Sequence, residues 1–95
     1  MMRNCRIADL RAKEVINIRD GLRLGFPVDI EMDRETGRVV ALVVMASGRP
    51  GGLFGRGHEY VVPWEKIRRI GDDLVMVDQE TTEPMPQPRQ KWLNL

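Results

Sequence analysis

A small all-β domain is the fold class that this 95-residue sequence predicts, and three observations predict it. Apolar residues mostly recur at every second position, which places them on one face of a strand. Turn signals rich in Gly and Asp separate these runs at short intervals. The β-branched residues Val and Ile, which favour strands, occupy 16 positions. Many short strands in so short a chain indicate a small barrel or sandwich.

The composition narrows the class of function. Lys and Arg number 15 against 14 Asp and Glu, and a net charge of +1 argues against a dedicated nucleic-acid or membrane-surface binder. The single cysteine can form neither an internal disulfide nor a structural zinc site. The single histidine makes a His-based catalytic metal site equally unexpected. We therefore expect no metal and no cofactor.

The apolar segments are short. The longest unbroken apolar run, residues 39–46, is far below the roughly 20 residues that a membrane-spanning helix needs. The first six residues carry no apolar signal-peptide core. We expect a cytoplasmic protein with no membrane partner.

The first two strands form a hairpin. Residues 14–18 predict a strand, and Asp20-Gly21 after it is a strong hairpin dipeptide. In residues 24–32 apolar and polar side chains alternate, so one apolar face is predicted: Leu24, Phe26, Val28, Ile30 and Met32. Pro27 cannot donate to a strand ladder, which indicates an edge position or a bulge.

The remaining elements follow in order. Residues 33–37 (DRETG) predict a second turn, and residues 38–45 a strand buried on both faces. Residues 59–62 predict a further strand, and residues 63–67 a single helical turn that begins with proline. Residues 74–77 predict the last strand of the body.

The chain divides into a body, residues 1–78, and a Pro-rich C-terminal tail, residues 79–95. Prolines at positions 84, 86 and 88 predict an extended, polyproline-like tail. The apolar residues Trp92, Leu93 and Leu95 near its end suit docking onto a partner or a second copy.

Two groups of residues have part of the pattern of a metal-binding or phosphate-binding site. The alternating carboxylates at 29, 31, 33 and 35 lack the glycine of a calcium loop, so a solvated strand face is predicted. In the glycine-rich segment 48–57, His58 and Glu59 replace the Lys and Ser/Thr of a phosphate loop. This segment is therefore predicted to be an inter-strand connection.

The individual residues also give little indication of a catalytic or binding role. His58 has no nucleophile beside it in the sequence, so no catalytic residue is predicted. We expect Cys5 to be a small buried side chain and Trp64 to pack in the core or at a barrel end. The cluster Lys66, Arg68 and Arg69 is the one hint of RNA binding, but two aspartates follow at once.

An ordered set of short segments resembles the PRC-barrel family, and within it the short sporulation-associated proteins of the YlmC/YmxH type. The matching segments cover most of residues 6–78: residues 7–17 (IADLRAKEVIN), 20–21, 25, 29, 33, 36–38 (TGR), 53–57 (LFGRG), 59–64 (EYVVPW), 67 and 70–73 (IGDD). Proline at position 27 and the tail depart from the family pattern.

This resemblance implies a β-barrel of about six strands that acts as a protein-contact module. Members of the family also occur in a photosynthetic reaction centre and in a ribosome-maturation factor. The resemblance implies no catalytic residues in this chain. The leading hypothesis is a non-enzymatic, sporulation-associated interaction module, and the alternative is an RNA-binding or ribosome-assembly factor.

The predicted interaction residues lie in the glycine-rich segment and in the tail. Leu53 and Phe54 form an apolar pair among glycines, whose ordering is entropically costly. We therefore expect a homodimer or a protein partner of unknown identity to cover Leu53 and Phe54, together with Arg56. Trp92 and Leu93 complete the predicted set.

Overall fold

The computed structural model describes residues 4–46, 58–80 and 85–86, and in these ranges the fold is mostly β. The elements in chain order are helix α1 (Ile7–Leu10), β1 (Glu14–Asn17), β2 (Arg23–Met32), β3 (Val39–Ala46), β4 (His58–Pro63), a 3-10 helix (Trp64–Lys66), β5 (Ile67–Ile70), β6 (Leu74–Val77) and β7 (Met85–Pro86). The predicted all-β class and the count of about six strands that the resemblance implied are confirmed, but strand β5 was not among the strands predicted from the residues. Helix α1, a single turn, was not predicted.

The strands form one sheet in the order β5-β6-β1-β2-β3-β4-β7. Neighbouring strands are antiparallel except β1 and β6, which run parallel with Val15 opposite Val75. Within the described ranges, β5 and β7 are the two edges, so the sheet is not closed by a ladder. None of the helices described is long and apolar enough to cross a membrane.

The core lies between the inner faces of the curved sheet. Its fully buried apolar residues are Val15, Leu42, Val44, Val62, Val75 and Val77. Register explains this set, because Leu42 lies opposite Val62 on β4 and Val44 opposite Tyr60. The predicted double burial of β3 is confirmed for residues 41–44.

Strand β2 does not keep the predicted alternation. Its ladders shift register around Leu24 against β1 and around Val28 against β3, which are β-bulges. Each bulge adds a residue, so the inward positions become Leu24, Pro27 and Ile30, three apart. Pro27 is buried beside a bulge, which is one of the two positions predicted for it, the other being a sheet edge.

Four side chains therefore lie differently from the prediction. Phe26, Val28 and Met32 were expected on the apolar face of β2, but they are 44%, 36% and 56% exposed. The bulges turn them outward. Cys5 was expected to be buried, but it is exposed, because it precedes α1 and only Leu10 of that helix reaches the core.

Candidate functional site

A half-open cleft of about 1160 Å³ lies where helix α1 meets one end of the sheet. We call it the end cleft. Its apolar lining comes from five separate parts of the chain: Ile7, Leu10 and Ala12 around α1, Ile30 on β2, Val39 on β3, Trp64 in the 3-10 helix and Ile70 on β5. Concave surfaces that combine apolar side chains with a few polar groups are the places where proteins commonly bind ligands.

Helix α1 is held over this end of the sheet by one anchor. Leu10 is 5% exposed and belongs to the core, whereas Ile7, one turn earlier, is 54% exposed. Trp64 is partly buried, packs against the same core and also lines the cleft. The buried Leu10 therefore fixes the helix and leaves Ile7 at the open side of the cleft.

Polar contacts brace the cleft rim. The Lys13 Nζ donates to the carbonyls of Gly71 and Asp72 at 2.7 and 2.6 Å, which ties the end of the helical segment to the β5–β6 turn. The Asp9 carboxylate accepts the backbone N–H of Arg6 at 3.0 Å and so closes the first turn of α1. The Lys13 ammonium and the Asp9 carboxylate therefore both hold backbone groups in place.

A second feature is an apolar surface on the outer side of β2, β3 and β4, which we call the outer patch. Cross-strand register places Phe26 beside Met45, and Val43 beside Val61. With Val28 these residues form an apolar group, in which Asp29 lies opposite Val43. Phe26, Val28 and Val61 are 36–45% exposed within it.

At the β4 side of the outer patch lies a carboxylate. Glu59 is opposite Met45 on β3 and opposite Met85 on β7. It is only 9% exposed as a residue. Among the described residues, no buried side-chain nitrogen or oxygen atom lacks a hydrogen-bond partner.

An ion pair joins β1 and β2. Arg23 donates to both carboxylate oxygens of Glu14, at 3.1 and 2.7 Å. The hydrogen bonds and the charge of Glu14 raise the pKa of the Arg23 guanidinium above its ordinary value. This pair reinforces the antiparallel β1–β2 ladder.

Comparison with known proteins identifies the family. The PRC-barrel domain matches residues 2–83, nearly the whole described part of the chain. The chain belongs to the PRC-barrel family. This confirms the resemblance seen in the sequence.

Two relatives come from Bacillus subtilis. "Probable sporulation protein YlmC" is 35% identical over 71 residues, which cover 75% of this chain and 88% of the relative. "Uncharacterized protein YmxH" is 35% identical over 88 residues, 90% of this chain and 99% of the relative. An uncharacterized protein of Clostridium acetobutylicum is 32% identical over 69 residues, 73% of this chain and 78% of that protein.

The interaction residues predicted from the sequence lie outside the described residues of this PRC-barrel chain. Leu53, Phe54 and Arg56 belong to residues 47–57, and Trp92 and Leu93 to residues 87–95. Their roles stay predictions. Both surfaces found here were missed, since each depends on contacts between segments that are distant in sequence.

The basic cluster spans two adjoining elements. Lys66 ends the 3-10 helix, whereas Arg68 and Arg69 lie on the edge strand β5. The Arg68 guanidinium donates to the Glu65 carbonyl at 3.0 Å and lies 3.9 Å from the Asp78 carboxylate. Part of its charge is therefore already compensated within the barrel.

The acidic row lies on the surface, as predicted. Asp29 and Glu31 are exposed on β2, and Asp33 accepts the backbone N–H groups of Glu35 and Thr36 in the following turn. Among the residues described, no three His, Cys, Asp or Glu side chains gather as a metal-ligand set. His58 begins β4, half-buried, and Trp64 packs at the barrel end as predicted.

Proposed function

We propose that this PRC-barrel protein is a non-enzymatic, cytoplasmic interaction module that acts in sporulation and binds a protein partner in the end cleft. The observation that carries the proposal is the cleft itself, whose lining combines Trp64 with Ile7 and Ile70, which are 54% and 37% exposed. Large exposed apolar side chains around a concavity are typical of surfaces that bind other proteins.

The chemistry of the lining favours binding over catalysis. Lys13 and Asp9, the charged groups whose contacts are defined there, hold backbone groups in place. Seven of the fourteen lining residues are aliphatic or aromatic, and Asn4, Arg6 and Asp72 add further polar groups. A partner would insert apolar side chains and would gain about 25 cal/mol for each Å² of apolar surface buried.

The sporulation role rests on kinship. The Bacillus subtilis relative that covers 75% of this chain carries the name of a sporulation protein. We extend that role to this chain as part of the proposal, with a partner present in sporulating cells.

Affinity capture with matched variants tests the proposal. Ile7→Asp places a charge in the cleft, and an acidic residue in the first turn of α1 is compatible with the helix. Ile18→Asp is the control, because Ile18 is 50% exposed and follows the opposite end of β1. We expect the wild-type chain and the Ile18→Asp variant to capture one protein from sporulating cells, and Ile7→Asp to lose it. Equal capture by both variants would contradict the proposal.

RNA binding is the alternative function that the basic cluster favours. Binding that depends on phosphate contacts weakens steeply as salt rises. We expect titration with labelled ribosomal RNA at 50 and 200 mM salt to give no salt-sensitive, sub-micromolar binding. Such binding, lost when Lys66 and Arg69 are changed to Gln, would favour the alternative.

A further inference from the structure

We propose that the outer patch is a contact between two copies of this chain, which pack β2 antiparallel over β2 about a two-fold axis at Pro27. The patch shares no lining residue with the end cleft, so this inference goes beyond the proposed function and is independent of it. It also differs from the contact at Leu53 and Phe54 that the sequence predicts. The outward face of β2 carries the inference, through its exposed apolar centre and the opposite charges at its two ends.

Cross-strand register shows which side chains of β2 share the outer face. Phe26, Asp29 and Glu31 lie opposite alternate residues of β3, at positions 45, 43 and 41. The residues between these on β3, Leu42 and Val44, belong to the core. Successive side chains of a strand point to opposite faces, so the set at 41, 43 and 45 points outward together with its partners on β2.

Arg23 points to the same side from the start of β2. It lies opposite Ile16 on β1, and the residue before Ile16, Val15, is fully buried in the core. Ile16 and Arg23 therefore face outward. The Arg23 side chain is 72% exposed even though it donates two hydrogen bonds to Glu14. A guanidinium carries further N–H groups, so Arg23 can bind a second carboxylate as well.

The centre of this face is apolar and exposed. Phe26, Val28 and Val61 are 44%, 36% and 45% exposed. Outward-facing residues of a half-buried sheet are ordinarily polar, so large apolar side chains at these positions indicate a surface that another protein covers. Removing them from water on association is favourable.

The order of the outward side chains along β2 is symmetric about Pro27. Phe26 and Val28 are its neighbours, and Arg23 and Glu31 each lie four residues from it. A two-fold rotation about an axis perpendicular to β2 at this residue lays the strand of a second copy antiparallel over the first. Phe26 then faces Val28 of the second copy, and Arg23 faces its Glu31. Each contact occurs twice, as an interface between identical subunits requires.

The charges favour this orientation of a second copy over the reverse. Arg23 lies at one end of the apolar centre, and Asp29 and Glu31 lie toward the other end. Parallel packing would place like charges opposite each other, which is unfavourable. Antiparallel packing brings each Arg23 to the acidic end of the other strand. Glu59, two strands away on β4, is only 9% exposed and adds little to the charge of this surface.

Sedimentation velocity of the full chain over a dilution series tests whether the patch joins two copies. We expect the wild-type chain to be a dimer that dissociates on dilution. Phe26→Ser should raise the dissociation constant about tenfold or more, since a large side chain near the centre of an interface contributes strongly. Ile18→Ser is the matched control, because Ile18 is 50% exposed and lies outside the patch. A wild-type chain that is monomeric throughout, or equal dissociation constants for the two variants, overturns the proposal.

Charge reversal tests the antiparallel register. Arg23→Glu and Glu31→Arg each place like charges opposite one another, so each variant alone should be monomeric. An equimolar mixture of the two restores attraction at both ends, and native mass spectrometry should then show a heterodimer. Glu35→Arg makes the same change of charge in the turn after β2 and should leave the dimer intact. A mixture that stays monomeric overturns the proposal.

One of the two variants needs a check of its fold. Arg23→Glu also faces Glu14 across the β1–β2 ladder, and circular dichroism shows whether the barrel still forms. Where it does not, Glu31→Arg decides alone, because Glu31 is exposed and has no such ion pair among the described residues. Dimerisation of Glu31→Arg equal to that of the wild-type chain overturns the proposal.

Discussion

The side-chain amide of Asn17 takes the place of a strand partner for the backbone of Gln79. Its Nδ2 donates to the Gln79 carbonyl at 2.9 Å, and its Oδ1 accepts the Gln79 N–H at 3.3 Å. The same oxygen accepts the N–H of Arg19 at 3.3 Å. Asn17 is fully buried, so this one side chain joins the β1–β2 turn to Gln79, two residues beyond the end of β6.

Asn17→Ala should destabilise the barrel by about 2 kcal/mol, because it leaves partly buried backbone groups of Gln79 and Arg19 without partners. Urea unfolding followed by circular dichroism measures the loss. Gln79→Ala is the matched control, since only the backbone of Gln79 takes part, and it should change stability by less than about 0.5 kcal/mol. Equal effects of the two substitutions would show that the Asn17 amide has no such role.

The same contact defines how far the stable body extends. The sequence predicts that truncation after Asp78 leaves the barrel unchanged, but the Gln79 backbone lies one residue beyond that point. A chain ending at Glu80 keeps both hydrogen bonds to Asn17, and a chain ending at Asp78 loses them. We expect the shorter chain to melt lower, by about 4–8 °C for each kcal/mol lost. Identical melting curves would place the boundary at Asp78 after all.

Lys13→Met should destabilise the turn between β5 and β6. The ammonium group donates two short hydrogen bonds to the carbonyls of Gly71 and Asp72, and a charged donor in a partly exposed site contributes about 1 kcal/mol. Hydrogen exchange of the amides of residues 71–74 measures the local effect. Lys66→Met removes the same charge elsewhere, and faster exchange in that variant as well would indicate a general effect of net charge.

Gly37→Ala should cost about 1 kcal/mol, since Gly37 has φ +74° in the turn that joins β2 and β3. No atom lies within 4 Å of the position that a Cβ would take, so backbone strain is the whole cause. Gly37→Asn should cost less, because asparagine tolerates this conformation. A thermal melt in which both variants match the wild type would contradict this assignment.

The turns could be predicted from the sequence because their causes are local. Asp33 accepts the N–H groups of the residues two and three positions after it, and Gly37 supplies the positive φ that closes the turn. Asp20 accepts the N–H of Leu22 in the same way. Such contacts lie within four residues, so their sequence signals are direct.

The faces of β2 could not be predicted, because a bulge depends on the partner strand. Leu24 and Val28 are the extra residues against β1 and β3, and a period of two read from β2 alone holds no trace of them. Phe26 was therefore assigned to the core but lies outside it. The parallel pairing of β1 with β6 was hidden for the same reason, since it joins residues about 60 positions apart.

The end cleft could not be predicted from the sequence either, because five distant segments meet there. Cys5 shows the difficulty: its apolar character indicated burial, whereas its place before α1 leaves it exposed at the cleft. One signal was available for Asn17, a polar residue between Ile16 and Ile18 in an apolar strand. A buried polar side chain in such a position ordinarily has a structural partner.

Photo-crosslinking from Cys5 tests most directly whether the end cleft is the binding site. Cys5 is the one cysteine of the sequence, is exposed and lines the cleft, so a benzophenone maleimide attaches there without any substitution. Cys5→Ser combined with Ile18→Cys carries the same probe away from the cleft. The account predicts that irradiation in an extract of sporulating cells joins one partner protein to the Cys5 probe and not to the probe at position 18. Equal crosslinking from both positions, or crosslinking from position 18 alone, would contradict it.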